Sequence, residues 1–355
     1  MHQPTACPDP LRKLIMHNPA LSRARVVDLH AHIVIPETMG TAGAYGPTLG
    51  QHPDGTPFFE VGPHYRLNGV RYVGSPFMDP DLRIQRMSER GIDFQVVSPN
   101  PLTYMHFIPT EDAVRFCRIH NDALSAIVAR HPQRLAGLAA VPLQDPKAAA
   151  LELQRAVTEL GLAGASFGTD APLPLDHASM DALYAQAVRL NVPLFIHPGP
   201  AGIDGPPGDP ALRRFELDII AGFAAQETLA VATLIFGGVL DRHPGLDICL
   251  SHGGGATALL MGRMAKGARK RAWSPPALRA EGAFEERLKR LWFDTHVDHP
   301  QVLDLLAAAV GPDHLVYGTN FAGWDAPETQ AGDGHAPVAP VLADNARRLL
   351  RAASA

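Results

Sequence analysis

The residues best suited to chemistry are His30 and His32, within Asp28-Leu29-His30-Ala31-His32. They follow Ala24-Arg25-Val26-Val27, an apolar run that reads as a buried strand. Side chains alternate faces along a strand, so Asp28, His30 and His32 are expected on one side. Two imidazoles and a carboxylate closing an apolar strand suit a divalent metal, which takes neutral imidazole nitrogen as a preferred ligand. Polar groups recur wherever other apolar runs stop. His197 ends Val192-Pro193-Leu194-Phe195-Ile196, and His252 ends Ile248-Cys249-Leu250-Ser251, ahead of Gly253-Gly254-Gly255. Asp294-Thr295-His296 follows Leu291-Trp292-Phe293, and Gly318-Thr319-Asn320 follows Leu315-Val316-Tyr317. One histidine at a strand end is usually a hydrogen-bonded structural residue. Histidines at several corresponding strand ends are poorly explained by packing and point to a metal site.

Positioning such groups requires strands that end together. Strand-like runs are expected at 25–32, 92–98, 135–141, 162–168, 192–197, 246–252, 291–296 and 314–319. Helical patterns fill 80–90, 111–131, 146–160, 178–190, 213–241, 255–268, 300–310 and 340–352. Repeated strand-then-helix units imply a parallel sheet, and eight of them can close into an α/β barrel whose catalytic groups lie at the C-terminal strand ends. The expected organisation is an N-terminal extension, 1–24, and a single barrel domain, 25–355. Residues 36–79, rich in Gly and Pro, read as a long rim insertion after strand one, either a functional loop or a small subdomain, and 198–212 as a second rim loop. Residues 325–339 read as a mobile connection to the final helix. Of the other histidines near strand exits, His106, His177 and His299 read as peripheral, whereas His296 is expected to face inward. Gly253-Gly254-Gly255 opens a helix whose backbone N–H groups could receive an anion, or is simply a tight turn that lets the helix pack closely.

Composition narrows the function class. The 355 residues are 46% hydrophobic and 19% charged with a net charge of −5, as expected of a globular protein with a large core. No basic face is evident, so nucleic acid is not an expected partner. Cys7, Cys117 and Cys249 are dispersed and odd in number, which fits a reducing compartment rather than a disulfide scaffold. No signal-type segment and no stretch approaching a membrane span is read, making the cytoplasm the expected location.

The order and spacing of several motifs carry a resemblance. They are Asp28-Leu29-His30-Ala31-His32, Asp79-Pro80-Asp81-Leu82-Arg83 and Arg134-Leu135-Ala136-Gly137-Leu138. Phe195-Ile196-His197-Pro198, Glu227-Thr228, Ser251-His252-Gly253-Gly254-Gly255 and Tyr317-Gly318-Thr319-Asn320-Phe321 complete the set. From Val26 to about Leu350 the chain resembles the aminocarboxymuconate-semialdehyde decarboxylase-like branch of the amidohydrolase superfamily, the amidohydrolase-2 family. The resemblance implies a distorted (β/α)8 TIM barrel, one divalent metal (zinc or manganese), a homodimer and, commonly, non-oxidative decarboxylation. By position it makes His30, His32 and His197 metal ligands, and His252 the histidine that activates water or moves a proton. It places the last family ligand, an aspartate, where this chain has Asn320.

That departure leaves three readings. Asn320 is a weak neutral ligand, or Asp325 or Asp294 supplies the missing charge, or the site is altered enough to change the reaction. Asp28 reads as an outer partner orienting the histidine pair. Glu37 and Arg71 sit in or beside the long loop, where substrate could meet them, but read first as solvated loop charges, and Arg83 reads as a structural ion-pair residue. The leading expectation is a metal-dependent decarboxylase of a small aromatic or unsaturated carboxylic acid, with His252 as the proton-transfer group. The alternatives are a metal-dependent hydratase or hydrolase, and a non-catalytic ligand-binding protein with a decayed site. No membrane partner is expected.

Overall fold

A computed structural model describes residues 18–200, 202–203, 210–327 and 339–352. Parts of three sequence-based readings therefore fall outside the described residues: the N-terminal extension, the 198–212 loop and most of the 325–339 connection. Eleven strands are present among the described residues. They are β1 (Val27–Ile33), β2 (Thr48–Gln51), β3 (Pro57–Val61), β4 (Tyr65–Asn68), β5 (Phe94–Pro99), β6 (Leu135–Gly137), β7 (Ala165–Gly168), β8 (Leu194–His197), β9 (Ile248–Leu250), β10 (Trp292–Asp294) and β11 (Leu315–Val316).

β1 and β5 to β11 are parallel and pair in chain order. Two junctions complete the ring. Ala139 N–H donates to Gly164 and Ser166 N–H to Ala139, joining β6 to β7 (2.9 Å each). Leu29 N–H donates to the Tyr317 carbonyl (2.9 Å) and Phe321 N–H to the His30 carbonyl (3.2 Å), joining the end of the barrel to its start. The expected eight-stranded α/β barrel is the observed fold, with strand ends within a few residues of those read from the sequence.

Helix starts follow from local chemistry. Asp79 and Asp145 cap the helices Pro80–Glu89 and Pro146–Thr158 by accepting from two backbone N–H groups each, with proline in the first turn. Inside the ring, Val27, Leu29, Val96, Phe195, Cys249, Trp292 and Val316 fill the lower barrel. Leu21 and the helix Pro340–Leu349 belong to the same cluster. An apolar floor leaves the polar groups only the opposite end, where the strands stop.

Three expectations are refined or corrected. Of the two readings of residues 36–79, the small subdomain is the one observed: β2, β3 and β4 form an antiparallel sheet there. Phe59, Val61 and Tyr72 pack against Leu102, Met105 and Phe116 beneath it. Asp54-Gly55, with Gly55 at φ +83°, makes the first hairpin turn, a signal hidden among the other glycines. The helix read over 213–241 is broken into Leu217–Ile220, Gly222–Phe236 and Val239–Arg242. Gly238 at φ +69° separates the last two. Finally, Arg214–Phe236 is long and apolar enough to cross a membrane by length and composition, with mean hydropathy 1.7. This contradicts the reading that no stretch approaches a span. The segment is kinked, however, and its Glu227 is buried against the barrel.

Candidate active site

A bulge in β1 sets the site. Pairing with β5 shifts from Asp28 opposite Gln95 to Ala31 opposite Val97, and a bulge changes which side chains face which way. Val27 and Leu29 lie in the barrel interior, whereas Ala31 and Ile33 pack among helix residues. His30 and His32 therefore both point inward. Asp28 does not share their face, contrary to expectation. Its carboxylate accepts from the backbone N–H groups of His30 and Thr319, the Thr319 hydroxyl (2.7 Å) and the Gln95 amide (2.8 Å). Burial pushes its pKa up to about 6 against those hydrogen bonds. Asp28 fixes backbone, not imidazole. Gln95 in turn accepts from Arg83, which also donates to the His32 carbonyl (2.5 Å). Arg83 is thus fully buried and hydrogen-bonded to neutral groups, with no direct carboxylate partner among the described residues.

Three imidazoles converge. His30 Nδ1 lies 2.7 Å from Asp294 Oδ2, His197 Nδ1 lies 2.7 Å from the Pro198 carbonyl, and His32 Nδ1 lies 3.0 Å from Ser98 Oγ and 3.2 Å from the Pro99 carbonyl. Carboxylate and carbonyl oxygens only accept, so each neutral ring carries its proton on Nδ1. The Nε2 atoms then present lone pairs to one another, at 3.2 Å between His30 and His32 and 3.3 Å between His32 and His197. Three acceptors face each other without a donor. A cation between them removes the conflict. Two nitrogens bound to zinc at tetrahedral angles lie about 3.3 Å apart. Burial, with the neighbouring imidazoles, holds His32 and His197 well below the usual histidine value. A small void of about 20 Å³ lies beside these rings and Asp294, toward Leu29, Phe195 and Cys249. The donor set fits a divalent metal.

Two further imidazoles border the cluster. His252 Nδ1 sits 2.8 Å from Glu227 Oε1, and the Ser251 hydroxyl donates to the same oxygen. Burial alone would lower the His252 pKa, but Glu227, Asp294 and Asp325 outweigh it and hold it at about 9. His296 Nε2 lies 3.1 Å from Asp325 Oδ2, and Asn320 donates its amide N–H to Asp325 Oδ1 (2.6 Å). The ring centroids of His252 and His296 are 4.9 and 5.3 Å from that of His30. Asp294 remains ionised: burial opposes this, and His30 chiefly brings its pKa down to about 2. Gly318 is glycine because a Cβ would fall 2.8 Å from His30 Cβ and 2.9 Å from Asp294 Cβ.

The structure thus brings together His30, His32, His197, His252, Asp294, His296, Asn320 and Asp325 from sites spread along the chain. Glu37 and Arg71 are exposed and make no hydrogen bond or ion pair to this cluster; Arg71 lines a separate groove on β2 and β3. His177 and His299 are helix N-caps. The N–H groups of Gly253, Gly254 and Gly255 bond to Asp294, Ser251 and His252, so they form a tight turn and not an anion cradle. Glu227 stands in one of the sequence motifs, but the motif alone does not disclose its role beside His252. A lone acid inside the apolar run Gly222–Phe236 was the signal.

The amidohydrolase family model matches residues 27–352. The chain belongs to this amidohydrolase family. Among family relatives it is similar to 2-amino-3-carboxymuconate-6-semialdehyde decarboxylase of Dictyostelium discoideum, with 28% identity over 84% of this chain and 82% of that protein. It is 30% identical to gamma-resorcylate decarboxylase of Rhodococcus jostii, over 83% of this chain and 87% of that protein. A solved dihydroxybenzoic acid decarboxylase from a Polaromonas species, with bound manganese and the inhibitor 2-nitroresorcinol, shares the amidohydrolase fold. It has a TM-score of 0.68, 22% identity, and covers 92% of this chain and 96% of that one.

Proposed function

We propose that this protein is a metal-dependent non-oxidative decarboxylase of a small aromatic or unsaturated carboxylic acid. The observation that carries the reading is the three-imidazole centre, its lone pairs aimed inward, beside a fourth imidazole backed by a buried carboxylate. His30, His32 and His197 would hold the cation, and Asn320 is a candidate neutral ligand whose amide N–H is committed to Asp325. Zinc suits imidazole donors, and the Polaromonas structure holds manganese, so both belong in the test. A bound divalent ion supplies Lewis-acid attraction for a carboxylate or neighbouring oxygen and fixes the substrate's orientation.

The chain's own groups perform the rest. Glu227 fixes His252 through Nδ1, which leaves Nε2 to face the reacting carbon. His252 delivers a proton from Nε2 to the carbon bearing the carboxylate. The carbon–carboxylate bond then breaks, carbon dioxide departs, and the bonding pair restores conjugation. Solvent returns the proton to His252. Hydrolysis or hydration is less well supported, because the strand-eight position carries an amide instead of a carboxylate base. A decayed binding protein is disfavoured by the intact orienting partners of every imidazole.

The test is a carbon dioxide release screen over hydroxybenzoates and muconate-type acids, with the protein loaded with zinc or manganese. Release that falls at least about 100-fold in His252→Ala, metal content unchanged, supports the reading. Full metal content in His30→Ala and His197→Ala, or product formation by addition of water without carbon dioxide, sinks it.

A further inference from the structure

The proposed chemistry uses neither His296 nor Asp325, yet the barrel brings both beside His252. His252 follows β9, His296 follows β10 and Asp325 follows β11. Their ligand atoms, one from each side chain, all lie within 4.8 Å of one another. His32 and His197 are not part of this triad.

Each member is held in place. His296 Nε2 stands 3.1 Å from Asp325 Oδ2. Two ligands of one zinc ion at near-tetrahedral angles lie about 3.3 Å apart, so this pair needs little movement to share a cation. Asn320 donates to Asp325 Oδ1 (2.6 Å), which leaves Oδ2 for His296. The chain returns to this place through a tight turn, in which Gly323 N–H donates to the Asn320 carbonyl (2.7 Å). A Cβ on Gly323 would fall 2.6 Å from Asn320 Nδ2, so glycine is what leaves the amide its position. Glu227 engages His252 at Nδ1 (2.8 Å), and Nε2 is the atom left to bind. The His296 side chain is 3% exposed, against 15% for Asp325 and 18% for His252. The triad therefore has a closed side and an open one, through which a cation can enter and water can complete its shell.

We propose that His252, His296 and Asp325 form a second divalent-cation site next to the three-imidazole centre, suited to zinc, and that a cation bound there is inhibitory. Two imidazoles and one carboxylate are ligands that zinc accepts. Binding takes the Nε2 lone pair of His252, the atom that delivers the proton in the proposed decarboxylation. A cation and a proton on that atom exclude each other. The His252 ring centroid is 4.9 Å from those of His30 and His197 and 5.5 Å from that of His296, which puts it between the two positions. Glu227, Asp294 and Asp325 all act electrostatically on His252, and these carboxylates offset part of the repulsion between two dications. The site stands on these residues alone; its inhibitory effect rests on the decarboxylase reading.

The test uses the full chain stripped with chelator, and zinc alone as probe, with bound metal counted by equilibrium dialysis and elemental analysis. The parent should take two zinc ions per chain. The second should bind about tenfold or more weakly because the first repels it, so one equivalent fills the three-imidazole centre first. His296→Phe and Asp325→Asn should each keep the first ion and weaken the second at least about tenfold. A thermal melt of the stripped proteins verifies folding, and either variant serves where the other fails to fold. His197→Ala should lose the tight ion and keep the weak one. One zinc per chain in the parent, or a second ion bound with parental affinity by the folded variants, would overturn the site. For an acid that the parent decarboxylates, carbon dioxide release with two ions bound should be at least about tenfold below that with one. Undiminished release would overturn the inhibition. A chain that binds two ions but releases carbon dioxide from no acid would support the site and sink the decarboxylase reading.

Discussion

Asp294→Asn keeps the size of a side chain that does two jobs and removes its charge. Asp294 Oδ2 holds His30 Nδ1 at 2.7 Å, while Oδ1 accepts the backbone N–H groups of Gly253 (3.2 Å) and His296 (3.0 Å). An amide has one accepting oxygen. Facing two backbone donors, that oxygen turns toward them and its NH2 turns toward His30. Nδ1 must then accept, and the imidazole proton moves to Nε2, the nitrogen that faces His32. The ring is left in the tautomer that cannot bind a cation. Outer partners of ligating histidines typically contribute 10–100-fold in metal affinity, about 1.4–2.7 kcal/mol. Loss of charge as well as tautomer control puts this case near the upper end. Ser98→Ala is the internal comparison: it removes a neutral hydroxyl from His32 but leaves the Pro99 carbonyl at 3.2 Å, so less than about tenfold is expected. Chelator-competition titration with zinc, with a thermal melt to verify folding, measures both. Zinc affinity in Asp294→Asn within about twofold of the parent, or a larger loss in Ser98→Ala, would refute the tautomer argument.

Two other perturbations probe different parts of the molecule. Asn320→Asp sets a second carboxylate 2.6 Å from Asp325 Oδ1 in place of a donor; the metal-free protein should lose about 1–3 kcal/mol and regain it on zinc addition. An unchanged melt without metal would show that Asn320 does not restrain Asp325. His120, far from the site in sequence and 1% exposed, has an unpartnered Nε2, and burial lowers its pKa from 6.5 to about 4 despite the Asn121 contact. The folded value lies below the unfolded one, so its stabilising effect is complete above pH 6.5 and is lost as the pH falls toward 4. The shift corresponds to about 3 kcal/mol. Urea unfolding at pH 7 and 4.5 in the presence of chelator should show a smaller acid loss for His120→Leu than for the parent, and parallel losses would exclude the effect.

Much of the barrel was legible because most of the parallel strands are short, largely apolar runs buried on both faces, and several end at a polar residue. Pro80, Pro146 and Pro300 marked helix starts for a similar local reason: proline fits the first turn and the preceding Asp or His caps it. The β2–β4 sheet was not legible as such. Its strands are only four or five residues long, and Gly50 packs against the Phe58 ring across the hairpin, a contact that composition conceals. His106 was read as peripheral because its burial depends on Tyr104 and Gly168, which stack on it and bond to it.

Residue type and order alone determined that several imidazoles end apolar runs and that an amide, Asn320, ends the last of them. Only the tertiary structure decided their chemistry. The bulge in β1 turned Asp28 away from the histidines and both rings inward. Closure of the ring brought Asp294 to His30 across 264 positions, and the helix Gly222–Phe236 delivered Glu227 to His252. A periodic pattern specifies which face a side chain takes, but not which nitrogen keeps its proton. That is set by the acceptor a distant segment places beside it.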